Sequence, residues 1–272
     1  MRYWRGSIAL SPIRDYPLLR QVLRSTFITH GQLYEFMRLE YCATSRNAFN
    51  NRVLRLVRHD YLVRDEVPFR TEGYVYSISA RGAAELAGSG EYYTGLTRRP
   101  VNGQLPKAVY HAIDLNKIHL ALKRSEQLVR WTPDTEIRSR NEFTESGYKK
   151  DYDAVVTVRS DGSERTFALE YERTAKARKQ YVQIRNDIEA ETAVPSFLYL
   201  VPNYDLLSYI ASFFATSRKA VYFGLLPDFL KHVLEMPLRR ARPGPLSTLR
   251  DALSASQSDI GEGHHCCRIA GL

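Results

Sequence analysis

Two β-rich runs, Tyr152-Asp153-Ala154-Val155-Val156-Thr157-Val158 and Phe167-Ala168-Leu169-Glu170-Tyr171-Glu172-Arg173, flank the turn-like Ser160-Asp161-Gly162-Ser163. Alternating apolar residues around a short Asp-Gly turn describe a β-hairpin. One acid enters its first strand and two leave its second. A carboxylate embedded in a strand is costly unless it is paired or binds a cation. Carboxylates converging on one sheet edge are what a divalent metal site requires, so Asp153, Glu170 and Glu172 make metal-dependent phosphodiester chemistry a candidate. The alternative is that Glu170 and Glu172 alternate on a strand with one in a salt bridge and Asp153 ends a turn.

A chain of 272 residues is long for one average domain and suggests two. No apolar stretch approaches the ~18 residues of a membrane span, and the N-terminus Met1-Arg2-Tyr3-Trp4-Arg5 lacks the apolar core of a signal peptide. Three cysteines, Cys42, Cys266 and Cys267, make no disulfide framework and fit a reducing compartment. A cytoplasmic protein without a membrane partner is expected. The formal net charge of +9 favours a polyanionic partner. Residues 1–86 hold 13 arginines and no lysine against 8 acids, an excess of five. Arginine's forked donors match phosphate oxygens and guanine edges better than an ammonium does.

That arginine-rich third has a helical beginning. Pro17 to Arg24 predicts a first helix and Gln32 to Met37 a second, after a break at residues 28–31. In the third, Ser45 is an N-cap and Phe49, Val53 and Leu56 form an apolar stripe, with Asn47, Asn51, Arg55 and Arg58 opposite. Tyr61 to Val67 and Tyr74 to Ile78 then read as two strands, and Ser79 to Leu86 as a closing helix. Three short helices followed by a hairpin describe an α+β winged helix-turn-helix, whose third helix enters the major groove while the wing touches the backbone. The expected contacts to double-stranded DNA are Ser45, Arg46, Asn47, Asn50, Asn51, Arg55 and Arg58, with Arg64 and Arg70 on the hairpin. A protein–protein adaptor with solvated arginines is the alternative.

The winged helix is assigned to residues 1–87, an aperiodic Gly/Thr/Tyr-rich linker to 88–106, a second domain to 107–237 and a disordered tail to 238–272. A helical pattern runs from Lys107 to about Val129. Glu136-Ile137-Arg138, Asp153 to Val158 and Thr166 to Tyr171 read as strands, Thr174 to Glu191 as a charged helix and Ser196 to Val201 as an apolar strand. Tyr204 to Ala215 and Ala220 to Gly224 add a helix and a last strand. The order αβββαβαβ is that of a three-layer α/β arrangement.

That order, with Asp153 on the second strand and Glu170-Tyr171-Glu172 closing the third, resembles the PD-(D/E)XK nuclease superfamily. The resemblance implies that Asp153 and Glu170 hold Mg²⁺ or Mn²⁺, with the Tyr171 carbonyl as a further ligand. It implies Gln183 as an accessory group, and catalytic duties for Glu172 and for Lys176 or Lys179. Tyr152 stands at the motif's proline and Glu172 at its lysine, so Lys176 or Lys179 would have to reach back from the following helix. With the N-terminal winged helix and the segment His111-Ala112-Ile113-Asp114-Leu115-Asn116, the chain looks like the replication-relaxation family of plasmid and mobile-element proteins, over residues 15 to 225. What this implies is a DNA-binding protein acting in replication or transcription control. Its degenerate nuclease-like domain would be an assembly or second DNA-contact surface, and a homodimer is an accompanying expectation. A Mg²⁺-dependent endonuclease is the alternative.

The remaining motifs carry less. His264-His265-Cys266-Cys267 has zinc-ligand residue types, but contiguous ligands do not easily wrap one tetrahedral ion. Leu238-Arg239-Arg240-Ala241-Arg242-Pro243 is a basic patch of linker character. No phosphate-cradling glycine loop occurs.

Overall fold

The computed structural model describes residues 8–41, 45–67, 73–91, 107–144, 147–240 and 247–255. They form a mixed α/β chain of ten helices, one 3-10 turn and ten strands among the described residues. Two compact units divide it: residues 1–126 with 132–147, and residues 127–131 with 148–272.

In the first unit, α1 (Asp15–Ser25), β1 (Ile28–Thr29), α2 (His30–Tyr41) and α3 (Arg46–Arg58) precede β2 (Leu62–Glu66), β3 (Tyr74–Ile78) and α4 (Ala80–Gly88). The strands form an antiparallel sheet in the order β1-β3-β2, with Ile28 opposite Tyr76 and Leu62 opposite Ile78. Phe49, Val53 and Leu56 of α3 are at most 1% exposed and join Leu18, Leu19, Val22, Phe36 and Tyr76 in one core. Each such side chain contributes roughly 1.5–3 kcal/mol on burial. The Ser45 hydroxyl accepts the Ala48 N–H at 3.2 Å and starts α3. Gly82 lets α4 press against the sheet, because a Cβ there would lie 2.2 Å from the Tyr61 carbonyl oxygen.

The helix α5 (Lys107–Arg124), assigned by sequence to the second domain, belongs to this first unit. Gln32 Nε2 donates to the Ile113 carbonyl at 2.7 Å and Asn116 Nδ2 to that of Phe27 at 2.8 Å. Arg124 grips both carboxylate oxygens of Glu35, at 2.7 and 2.5 Å. The helix stops at Arg124 instead of continuing to Val129, since Glu126 turns into the left-handed region (φ 58°). Leu128 and Val129 then open β4 (Leu128–Pro133). Glu136-Ile137-Arg138 is not a strand: it lies inside α6 (Asp134–Phe143), which starts after Pro133 with Asp134 and Glu136 in its first turn.

The second unit is built on a seven-stranded mixed sheet in the order β10-β9-β8-β7-β6-β5-β4. Its strands β5 (Ala154–Ser160) and β6 (Ser163–Tyr171) are the expected hairpin. Ser160 pairs with Ser163, and Asp161 and Gly162 both take positive φ (50° and 75°), which a two-residue Asp-Gly turn of type I′ requires. Next come α7 (Arg178–Ala190), β7 (Ser196–Val201), α8 (Tyr204–Phe214), β8 (Ala220–Leu225) and α9 (Leu226–His232). The pairs β6–β7 and β7–β8 are parallel. Every residue of β7 is buried, as expected of a strand covered on both faces. On one face Phe214 of α8 packs against Tyr199 and Phe223. On the other, the Tyr222 hydroxyl donates to the Ala252 carbonyl of α10 (Leu249–Ala255) at 3.2 Å.

Two further expectations are corrected in this unit. Helix α7 begins at Arg178, not Thr174. Part of the stretch assigned to a disordered tail is folded. Strand β9 (Pro237–Arg240) pairs with β8, β10 (Ser247–Thr248) pairs with β9, and α10 buries Leu249, Ala252 and Leu253. The His264–Cys267 motif and the linker residues 92–106 lie outside the described residues.

Candidate functional site

The first unit presents the outer face of α3. Asn47, Asn50, Asn51 and Arg58 are exposed, as are Ser45 and Arg46 at its start, while the inner face is buried. The Arg46 guanidinium lies over the Tyr34 ring, 4.3 Å from its centroid. Asn50 Oδ1 meets His30 Nε2 at 2.9 Å, and His30 Nδ1 meets the Tyr76 hydroxyl at 3.1 Å. In one self-consistent assignment Tyr76 donates to Nδ1 and Nε2–H donates to Asn50, leaving the Asn50 amide NH₂ directed elsewhere. His30 escaped the sequence reading, because nothing local ties residue 30 to residue 50. On the hairpin, Arg64 is exposed and stacks over Tyr74 at 4.6 Å. Arg70 lies outside the described residues.

Arg55 is differently placed from its expected open position. Its Nη2 is 2.6 Å from Oδ2 of Asp15, while Arg52 Nη1 is 2.8 Å from Oδ1. Asp15 is fully buried, and the Ser11 N–H also donates to its Oδ2 at 2.7 Å. A buried carboxylate needs such donors. The helix turns two of its arginines inward to supply them.

In the second unit the hairpin brings the predicted acids together. Asp153 lies one residue before β5, not within it, and one step beyond the Ala154–Leu169 pair, so it stands opposite Glu170. Its Oδ2 accepts the Tyr171 N–H at 2.7 Å. Glu170 and Glu172 are almost wholly buried, 3% and 5% exposed. Each meets a lysine: Lys150 Nζ donates to Glu170 Oε1 and Lys176 Nζ to Glu172 Oε1. Of the residues proposed to help the acids, Lys176 reaches them. Gln183 instead donates to Asp187 at 2.8 Å along an exposed face of α7, where Lys179 is also exposed.

Burial pushes the Glu170 carboxyl up to about 7, with Lys150 opposing the rise and Asp153 adding to it. Glu172 is raised for the same first reason, against Lys176. Burial alone would lower Lys176, but Glu170 and Glu172 outweigh it and hold the ammonium above the ordinary lysine value. Tyr199, paired in register with Glu170 on the neighbouring strand, is fully buried, and its hydroxyl has no hydrogen-bond partner among the described residues.

Lys150 was missed by sequence reasoning, since a lysine in a polar turn carries no local signal. Its position follows from Glu191. That buried carboxylate accepts the Lys149 N–H at 2.9 Å, the Tyr152 hydroxyl at 3.2 Å, and the Thr192 and Ala193 N–H groups at 2.9 and 2.8 Å. Glu191 thereby fixes the chain on both sides of Lys150.

Hard carboxylate oxygens are the right chemistry for Mg²⁺ or Mn²⁺. Yet Glu170 and Glu172 already take an ammonium each, and Asp153 takes a backbone N–H. Among the described residues, no three His, Cys, Asp or Glu side chains gather as a set that could hold a metal ion. As arranged, the donor set does not fit a divalent ion, which would have to displace Lys150.

No protein-family model, curated protein or solved structure matches the chain. No helix among the described residues is long and apolar enough to cross a membrane.

Proposed function

We propose that the chain binds double-stranded DNA through a winged helix formed by the first unit, with α3 in the major groove and the β2–β3 hairpin as the wing. The observation that carries this reading is the two-faced character of α3. Phe49, Val53 and Leu56 anchor one side in the core, while Asn47, Asn50, Asn51 and Arg58 stand exposed on the other. A helix so anchored offers a preformed polar surface of the dimensions of a major groove. The excess of five positive charges over residues 1–86 supplies the attraction to phosphate.

The second unit, in this proposal, is a PD-(D/E)XK-like scaffold that serves assembly or a second DNA contact. The proposal stops short of cleavage, because Lys150 sits on Glu170 where a catalytic cation would be needed. Control of replication or transcription on a plasmid or mobile element, as the resemblance to the replication-relaxation family implies, is the setting proposed. Fluorescence anisotropy of labelled duplex DNA with the whole chain tests the reading. Affinity should fall steeply with salt, as phosphate contacts demand. Absence of binding at low salt would count against it.

A further inference from the structure

The polar side chains on the first two turns of α3 are of two kinds. Asn47, Asn50 and Asn51 are exposed there, Arg46 is exposed but lies over the Tyr34 ring, and Arg52 and Arg55 are drawn back onto buried Asp15. An asparagine amide offers one acceptor and one donor, which match N6 and N7 of adenine. An arginine offers paired donors, which match O6 and N7 of guanine. In helices that dock in the major groove, the N-terminal residues are the ones that reach base edges.

Arg58 lies twelve positions beyond Arg46, about 18 Å along the helix at 1.5 Å per residue, at the end away from the first turns. Within the amide set, Asn50 has its oxygen engaged by His30. Asn47 and Asn51, one turn apart on one face, make no side-chain hydrogen bond to another described residue and so offer both functions to a base pair.

We infer that the duplex site is selected through adenine in the major groove, read by Asn47 and Asn51, and that Asp15 withholds Arg52 and Arg55 from reading guanine. This rests on the DNA-binding reading and adds the base chemistry of the target.

The test is selection of duplexes by the whole chain from a randomised pool, run in parallel with Asn47→Ala and Asn51→Ala. Wild type should enrich sites with at least one fixed adenine, thymine on the complementary strand. One or both variants should lose that fixed position, with discrimination there falling roughly 5- to 150-fold. A consensus carried by guanine and cytosine, or one that neither substitution alters, would overturn the inference while leaving DNA binding intact. Recovery of no duplex at low salt would instead overturn the reading on which it rests.

Discussion

Asp15, at the first turn of α1, holds Arg55 of α3 at 2.6 Å from a fully buried position, and so ties the helix proposed to read DNA to α1. Removing one partner of a fully buried ion pair costs ~3–5 kcal/mol. Here Arg55 is 40% exposed and Arg52 18%, so water recovers part of their solvation. Asp15→Ala should therefore destabilise the first unit by about 2–3 kcal/mol, read as a lowered midpoint in urea. A loss below about 0.5 kcal/mol would show that the arginines do not depend on this carboxylate.

Lys150 makes the opposite prediction for added ions. With its ammonium on Glu170, neither Mg²⁺ nor Mn²⁺ should raise the melting temperature of wild type. In Lys150→Met, Glu170 and Asp153 lose that counter-charge, and a divalent ion should now stabilise the fold in proportion to its binding. A wild-type shift of several degrees that Asp153→Ala abolishes would show that metal displaces the lysine. Metal-dependent cleavage would then have to be tested first.

The buried Glu170 carboxyl gives a pH dependence of definite sign. Its ordinary value is 4.5 and burial pushes it up to about 7, so between these values the folded chain holds more protons at this site than the unfolded chain. Its contribution to stability therefore falls as pH rises from about 4.5 to 7 and is flat above. Glu170→Gln should remove that slope when urea midpoints are compared at pH 5 and pH 8. An identical pH profile for the variant would contradict the assignment.

Glu191 anchors the strand entrance that carries Lys150 and Asp153. Glu191→Ala strands the Lys149 and Ala193 N–H groups and the Tyr152 hydroxyl, and hydrogen bonds to a charged group are each worth ~1.5–3 kcal/mol. A loss of about 3 kcal/mol in the second unit is expected. Faster amide hydrogen exchange around residues 149–153 should accompany it, with exchange at Phe49 and Val53 unchanged.

Periodicity carried most of what was legible in the sequence. The stripe Phe49, Val53, Leu56 repeats at helical spacing and fixes α3, and the Asp161-Gly162 dipeptide between alternating strands fixes the β5–β6 hairpin. Ile137 shows where that fails: one buried apolar residue between charged neighbours has no period, so residues 136–138 read as a strand although they lie inside α6. The acids of the candidate site were visible because carboxylates are unusual in strands. Their partners were not. Lys150 meets Glu170 across 20 positions and Asp15 meets Arg55 across 40, and no local pattern encodes pairings at such distances.

Binding of duplex DNA by the outer face of α3, as proposed, is tested most directly by the affinity of the whole chain and of Asn51→Ala for a selected duplex at two salt concentrations. Wild type should bind at low salt and weaken steeply as salt rises. Asn51→Ala should keep that salt dependence while losing ~1–3 kcal/mol at one base pair. A chain that binds no duplex at low salt, or an Asn51→Ala variant that binds every sequence as wild type does, would contradict the account.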